Sequence, residues 1–158
     1  MSGYLVKLIH GDEYVDGNSL GDRAQRQLLE PTALDYIRQI GAALTVMHQQ
    51  NLVHRDVRPA NLLLRIQGNP FGLALDAGSS LTKTRPKELI DGFSPLELYG
   101  SGQTLGPYTD VYSLAATLYE LLMGEVPVSA VLKLGGKYFC LSSRHWGDLT
   151  AEARRTRR

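Results

Sequence analysis

Three shortages bound what this chain of 158 residues can be. It has one cysteine, Cys140, so no disulfide closes within it, and a reducing compartment, the cytoplasm, is expected. It has no long hydrophobic run. The longest, LAATLYELLM at 114–123, is about half a membrane span and carries Glu120, and the opening MSGYLVKLIHGDE has too short an apolar stretch for a secretory leader. A soluble protein without membrane contact is expected. It also lacks an excess of charge of either sign: 17 Lys and Arg stand against 16 Asp and Glu, a net charge of +1. No global field draws it to nucleic acid, so no nucleic-acid partner is expected. What it does have is a 43% hydrophobic composition, which argues against disorder and suffices for one core.

Residues 4–15 read as a strand followed by a connector, and Asp16-Gly17-Asn18 as a turn. Pro31 stands where a helix would start. Leu34, Ile37, Ile40, Leu44 and Met47 follow on one helical face, which predicts a helix to about His48. Leu62–Ile66 and Phe71–Leu75 are short strands, with Gln67-Gly68-Asn69-Pro70 as their hairpin turn. Residues 76–108 read mostly as loop. A second helix is predicted over about Asp110–Met123, with Val111, Leu114, Ala115, Leu118, Leu121 and Leu122 as a broad apolar face and Gly124 as its stop. After Val131 the pattern fades, with a weak helical signal near 148–155 and five arginines among residues 144–158 that read as a solvated end.

The chemistry concentrates in NLVHRDVRPANLLL, residues 51–64. His54, Arg55, Asp56, Arg58 and Asn61 stand between two apolar runs, where unpaired charges would be costly. A carboxylate orients a hydroxyl and accepts its proton, and an amide oxygen is a hard ligand for a divalent ion. Asp76-Ala77-Gly78 follows the second strand of the hairpin, with a further carboxylate and a glycine for a sharp turn. Ser94-Pro95-Leu96-Glu97 comes later in the loop region.

In that order and spacing the chain resembles the eukaryotic-like serine/threonine protein kinases, in particular their bacterial branch. EYVDGNSL (13–20) looks like the hinge, VHRDVRPANLLL like the catalytic loop, and GFSPLELY and GPYTDVYSLAATLYELLMGEVP like the end of the activation segment and the central helix. The resemblance implies a fold that is mainly α with short β-hairpins, the large C-terminal lobe of a kinase. Residues 1–131 would form the kinase domain, truncated at its N-terminal side, and 132–158 a divergent basic tail.

It also implies ATP and Mg²⁺ as cofactors, a protein substrate and a part in signalling. By resemblance Asp56 is the catalytic carboxylate, Asn61 and Asp76 hold Mg²⁺, and Arg58 replaces the usual lysine facing the γ-phosphate. Arg55 would dock a phosphorylated activation loop, with Thr82 and Thr84 as nearby candidates. His54, Gly78, Glu97 and Asp110 would be structural, with Asp110 bonding the catalytic-loop backbone. Backbone groups near Glu13 and Val15 would bind adenine, and Leu63 would floor its pocket.

Two parts of the kinase pattern are missing. The glycine-rich loop and the strand lysine belong upstream of the hinge; Lys7 is too close to Glu13 to be that lysine, and Gly135-Gly136 lies at the wrong end. An absent N-terminal lobe is the expectation, with weak or no transfer by the chain alone and a separate N-terminal lobe as a partner. The family pairs Glu97 with a late arginine, for which Arg144 is the available residue. The alternative is a non-catalytic kinase-lobe module for binding or scaffolding. A small-molecule phosphotransferase of the antibiotic-kinase type shares the Asp-to-Asn spacing, but Arg55, SPLE and DVYSL speak against it.

Overall fold

A computed structural model describes residues 7–9, 17–24, 26–65, 73–76, 89–100 and 103–134. Four short strands, β1 (Lys7–Ile9), β2 (Gly17–Ser19), β3 (Leu62–Arg65) and β4 (Leu73–Asp76), form one sheet in the order β1-β4-β3-β2. β3 and β4 pair antiparallel, with Leu62 opposite Leu75. β2 runs antiparallel to β3 on one side, and β1 runs parallel to β4 on the other. The two strands of the predicted hairpin therefore pair, the second described over Leu73–Asp76, and the expected turn at Gln67-Gly68-Asn69-Pro70 lies outside the described residues. The turn expected at Asp16-Gly17-Asn18 is not what forms: Gly17 and Asn18 belong to β2, because Arg65 and Leu64 offer them a strand edge. A single 3₁₀ turn, Leu20–Asp22, follows it.

The first helix, α1, spans Glu30–Gln49, and Pro31 in its first turn needs no amide partner there. Its face behaves as the periodicity requires: Ile40, Leu44 and Met47 are buried with Leu20, Ala33, Val57, Leu62 and Leu121 in one core. Full burial of each larger aliphatic side chain contributes about 1.5–3 kcal/mol, so these residues fix how the helices and the sheet meet. The second helix, α2, spans Pro107–Met123 and starts a turn earlier than expected, with Pro107 in its first turn. Gly124 ends it at φ +73°, its N–H donating to the Glu120 carbonyl at 2.8 Å.

α2 buries apolar and polar residues alike: of its predicted apolar face Leu121 lies in the core and Leu114, Leu118 and Leu122 pack against it, while Val111 and Ala115 do not. Thr109, Asp110, Ser113 and Thr117 are buried, whereas Val111 is 59% exposed and Ala115 is exposed. Hydroxyls tolerate this because each one finds an acceptor, as described below. A further short helix, α3 (Ala130–Leu134), lies where no helix was legible, too short to show a period. Among the described residues no helix is long and apolar enough to cross a membrane.

Candidate active site

The end of α1 feeds the chain directly into the polar loop. Asn51, at φ +58°, donates its N–H to the His48 carbonyl at 3.0 Å, and Leu52 donates to Met47 at 3.0 Å. This left-handed stop satisfies the last helical carbonyls and turns the backbone towards α2.

Asp110, fully buried in the first turn of α2, is the anchor of the loop. Its Oδ1 accepts the Arg55 N–H at 2.6 Å and its Oδ2 the His54 N–H at 2.9 Å. His48 Nε2, on α1, lies 2.7 Å from the same Oδ2. One carboxylate at a helix N-terminus, where negative charge is favoured, thus joins α1, α2 and the loop. Arg55 sits at φ +70°, a conformation costly for a side-chain-bearing residue, and the bond from Asp110 holds it there. Its buried Nε has no hydrogen-bond partner among the described residues. His54 is fully buried and its Nδ1 accepts the Asp56 N–H at 3.2 Å, which braces the next turn of the loop.

Asp56 stands above this base. Arg58 Nε lies 3.0 Å from Asp56 Oδ1 as an ion pair, with side chains 29% and 22% exposed, although its N–H is not aligned as a hydrogen bond. Asn61 closes a 3₁₀ turn, Pro59–Asn61, and its Nδ2 donates to the Asp56 carbonyl at 2.9 Å. Committing the amide nitrogen in this way orients the group and leaves Oδ1 as an acceptor or metal ligand. Asn61 immediately precedes β3, and Leu62 pairs with Leu75, so Asn61 and Asp76 come to the same end of the β3–β4 pair. Leu63 is half-buried in β3 opposite Ser19.

The later segment is tied to α2 as well. Ser113 donates to the Phe93 carbonyl at 2.9 Å, and Thr109 donates to Glu97 Oε1 at 3.1 Å. Gly92 is buried at φ +86°, and Ser94 Oγ accepts the Ile90 N–H at 2.9 Å. Burial, and then Asp91, raise the Tyr99 phenol above its usual range, and its hydroxyl donates to Asp91 Oδ1 at 3.4 Å.

The structure therefore brings Asp56, Arg58 and Asn61 together with His54, Arg55 and Asp110, and ties Glu97, in the turn Leu96–Leu98, to α2 through Thr109. Glu13, Val15, Gly78, Thr82, Thr84 and Arg144 lie outside the described residues. Sequence reasoning passed over His48, Thr109 and Thr117. The signal was available: hydroxyls at 109, 113 and 117 repeat every fourth residue beside Asp110, a polar stripe on an otherwise apolar helix.

The family model described as "Protein kinase domain" matches residues 7–137. The serine/threonine-protein kinase drp72 of Corynebacterium efficiens is 38% identical over 124 residues, covering 73% of this chain and 23% of the relative. The serine/threonine-protein kinase PknB of Mycolicibacterium smegmatis is 35% identical over 125 residues, covering 73% of this chain and 20% of the relative. Among solved structures, the Mycobacterium tuberculosis PknI kinase domain superposes with a TM-score of 0.59 at 28% identity, covering 75% of this chain and 45% of that one. The chain thus spans about a quarter or less of these curated relatives and under half of the solved kinase domain.

Proposed function

This chain belongs to the protein kinase domain family, and from that premise we propose that it carries the large-lobe half of a site that transfers phosphate from ATP to serine or threonine hydroxyls of a protein. The observation that carries the proposal is the loop held on Asp110, which presents Asp56, Arg58 and Asn61 together. In this reading Asp56 orients the acceptor hydroxyl and takes its proton as the new O–P bond forms and the bond from the γ-phosphorus to the β–γ bridging oxygen breaks, with ADP leaving. Arg58, already beside Asp56, places a guanidinium against the charge of the transferred group, and its planar fork suits a phosphate. Asn61 Oδ1 and Asp76 would hold Mg²⁺, which when bound offsets the negative charge of the phosphates. Arg55 would receive a phosphorylated Thr82 or Thr84, Glu13 and Val15 would line the adenine site, and Leu63 would floor it.

A divalent ion fits the donors present. Among the described residues no group of three or more His, Cys, Asp or Glu could hold a metal by itself. An ion here would share an amide oxygen, a strand-end carboxylate and the nucleotide's own phosphates, as suits Mg²⁺.

The second reading is a kinase-lobe module that binds without transferring phosphate. These 158 residues carry neither the glycine-rich phosphate cover nor its lysine, so an assay of transfer by them supplies both on an added N-terminal lobe. Phosphoamino-acid analysis of a basic protein incubated with ATP–Mg²⁺, this chain and a bacterial kinase N-terminal lobe separates the readings. Phosphoserine or phosphothreonine supports transfer, and substrate capture without either product supports the module.

A further inference from the structure

Asp110 secures the loop ahead of Asp56, through the N–H groups of His54 and Arg55. What secures it on the far side is Thr117, two turns further along α2. Its Oγ1 lies 3.2 Å from the carbonyl oxygen of Val57, the residue that follows Asp56, and 2.8 Å from the Ser113 carbonyl. Thr117 and Val57 are both fully buried. The hydroxyl proton is thus shared between its own helix and the loop, a pattern that in an isolated helix would only weaken the turn. Serine and threonine at 109, 113 and 117 all face inwards, and each ties a different piece of chain to α2: Glu97, the Phe93 carbonyl and the Val57 carbonyl.

We propose that Thr117 is a positioning residue for Asp56: its hydroxyl, by holding the Val57 carbonyl, fixes the Val57–Arg58 peptide beyond the catalytic carboxylate, while Asp110 holds the N–H groups of His54 and Arg55 ahead of it. The role of Asp56 rests on the function proposed above, whereas the strap itself does not. With the Asn61 amide on the Asp56 carbonyl, the backbone of residues 54–57 is then held at each residue by a side chain from His54, Asn61, Asp110 or Thr117. Such bonding limits the directions in which the Asp56 side chain can point, which is what a carboxylate that must meet a hydroxyl within hydrogen-bond reach requires.

The test compares Thr117→Val, which keeps the shape and removes the donor, with Thr117→Ser, which keeps the donor. Deuterium exchange of the whole chain needs no catalysis. Loss of one hydrogen bond is expected to speed exchange across residues 54–61 about tenfold in Thr117→Val while α1 amides stay unchanged, with Thr117→Ser within about twofold of the parent. Equal loop exchange in all three proteins, or acceleration spread through α1 as well, overturns the proposal. With a kinase N-terminal lobe supplied, Thr117→Val is expected to lower kcat about tenfold with the KM for ATP within about twofold, and Thr117→Ser to restore it. A raised KM with unchanged kcat contradicts a role at Asp56. Transfer that survives Asp56→Asn overturns the assignment of Asp56 and leaves the exchange result standing, so the two failures are distinguishable.

Discussion

His48 Nε2 and Asp110 Oδ2 are 2.7 Å apart, joining the last turn of α1 to the first turn of α2 beneath the polar loop. The same carboxylate accepts two loop N–H groups, so three donors converge on one fully buried side chain. Asp110→Asn presents an NH₂ to donors that need an acceptor. Removing one partner from such a buried charged network costs about 3–5 kcal/mol. The expected outcome is a large fall in urea midpoint, with near-parent unfolding for an exposed control such as Glu125→Gln. A midpoint within error of the parent would mean that the loop does not depend on this carboxylate.

Arg58 and Asp56 separate stability from chemistry. Both side chains are partly exposed, at 29% and 22%, and such pairs contribute at most about 1 kcal/mol to folding. Arg58→Ala should therefore leave the melting temperature nearly unchanged while transfer, assayed with the N-terminal lobe supplied, drops at least about tenfold. Arg58→Lys should recover part of the rate, since it returns the charge without the fork. A large loss of stability with undiminished transfer would reverse the assignment.

The proposed metal role of Asn61 is tested by titration. Its Nδ2 donates to the Asp56 carbonyl, and in the proposed function its Oδ1 would be the metal ligand. Asn61→Ala is expected to raise the Mg²⁺ concentration for half-maximal transfer by about tenfold or more, and removal of the metal by EDTA should abolish transfer in both proteins. Identical Mg²⁺ titrations for variant and parent would remove Asn61 from the metal site.

Gly92 is a packing position. At φ +86° it is unfavourable for any residue with a side chain, and an added Cβ would lie 2.5 Å from the Pro127 carbonyl oxygen and 2.6 Å from Val126 Cγ1. Gly92→Ala should cost at least about 1–3 kcal/mol by chemical denaturation, from strain and collision together. A neutral result would mean that the 89–99 segment does not sit against the end of α2 in solution.

How much of this was legible beforehand depended on whether the signal was local. The run from Leu34 to Met47 announced α1 because its spacing alone defines a face, with Pro31 marking its start and its expected end near His48 one residue from the observed Gln49. The loop at 51–64 declared its chemistry because five polar side chains stand between apolar runs. Gly17 and Asn18 misled because their turn propensity was overridden by the free edge of β3 at Leu64 and Arg65, a partner far along the chain. On α2 Leu114, Leu118, Leu121 and Leu122 pack as their spacing requires, and only part of the face misled, for a related reason. Val111 and Ala115 look like core, but Thr109, Ser113 and Thr117 take the interior because their acceptors, Glu97, Phe93 and Val57, come from distant segments.

The central claim is that Asp56 belongs to a phosphoryl-transfer site whose large-lobe half this chain supplies. The most direct measurement is transfer of the γ-phosphate from ATP–Mg²⁺ to a generic basic protein, by the chain alone and with a kinase N-terminal lobe supplied, for the parent and Asp56→Ala. The expected result is negligible transfer by the chain alone, and transfer with the lobe that disappears in Asp56→Ala while the variant still unfolds cooperatively. Transfer that persists in Asp56→Ala, or no transfer by a folded parent with the lobe bound, would contradict it.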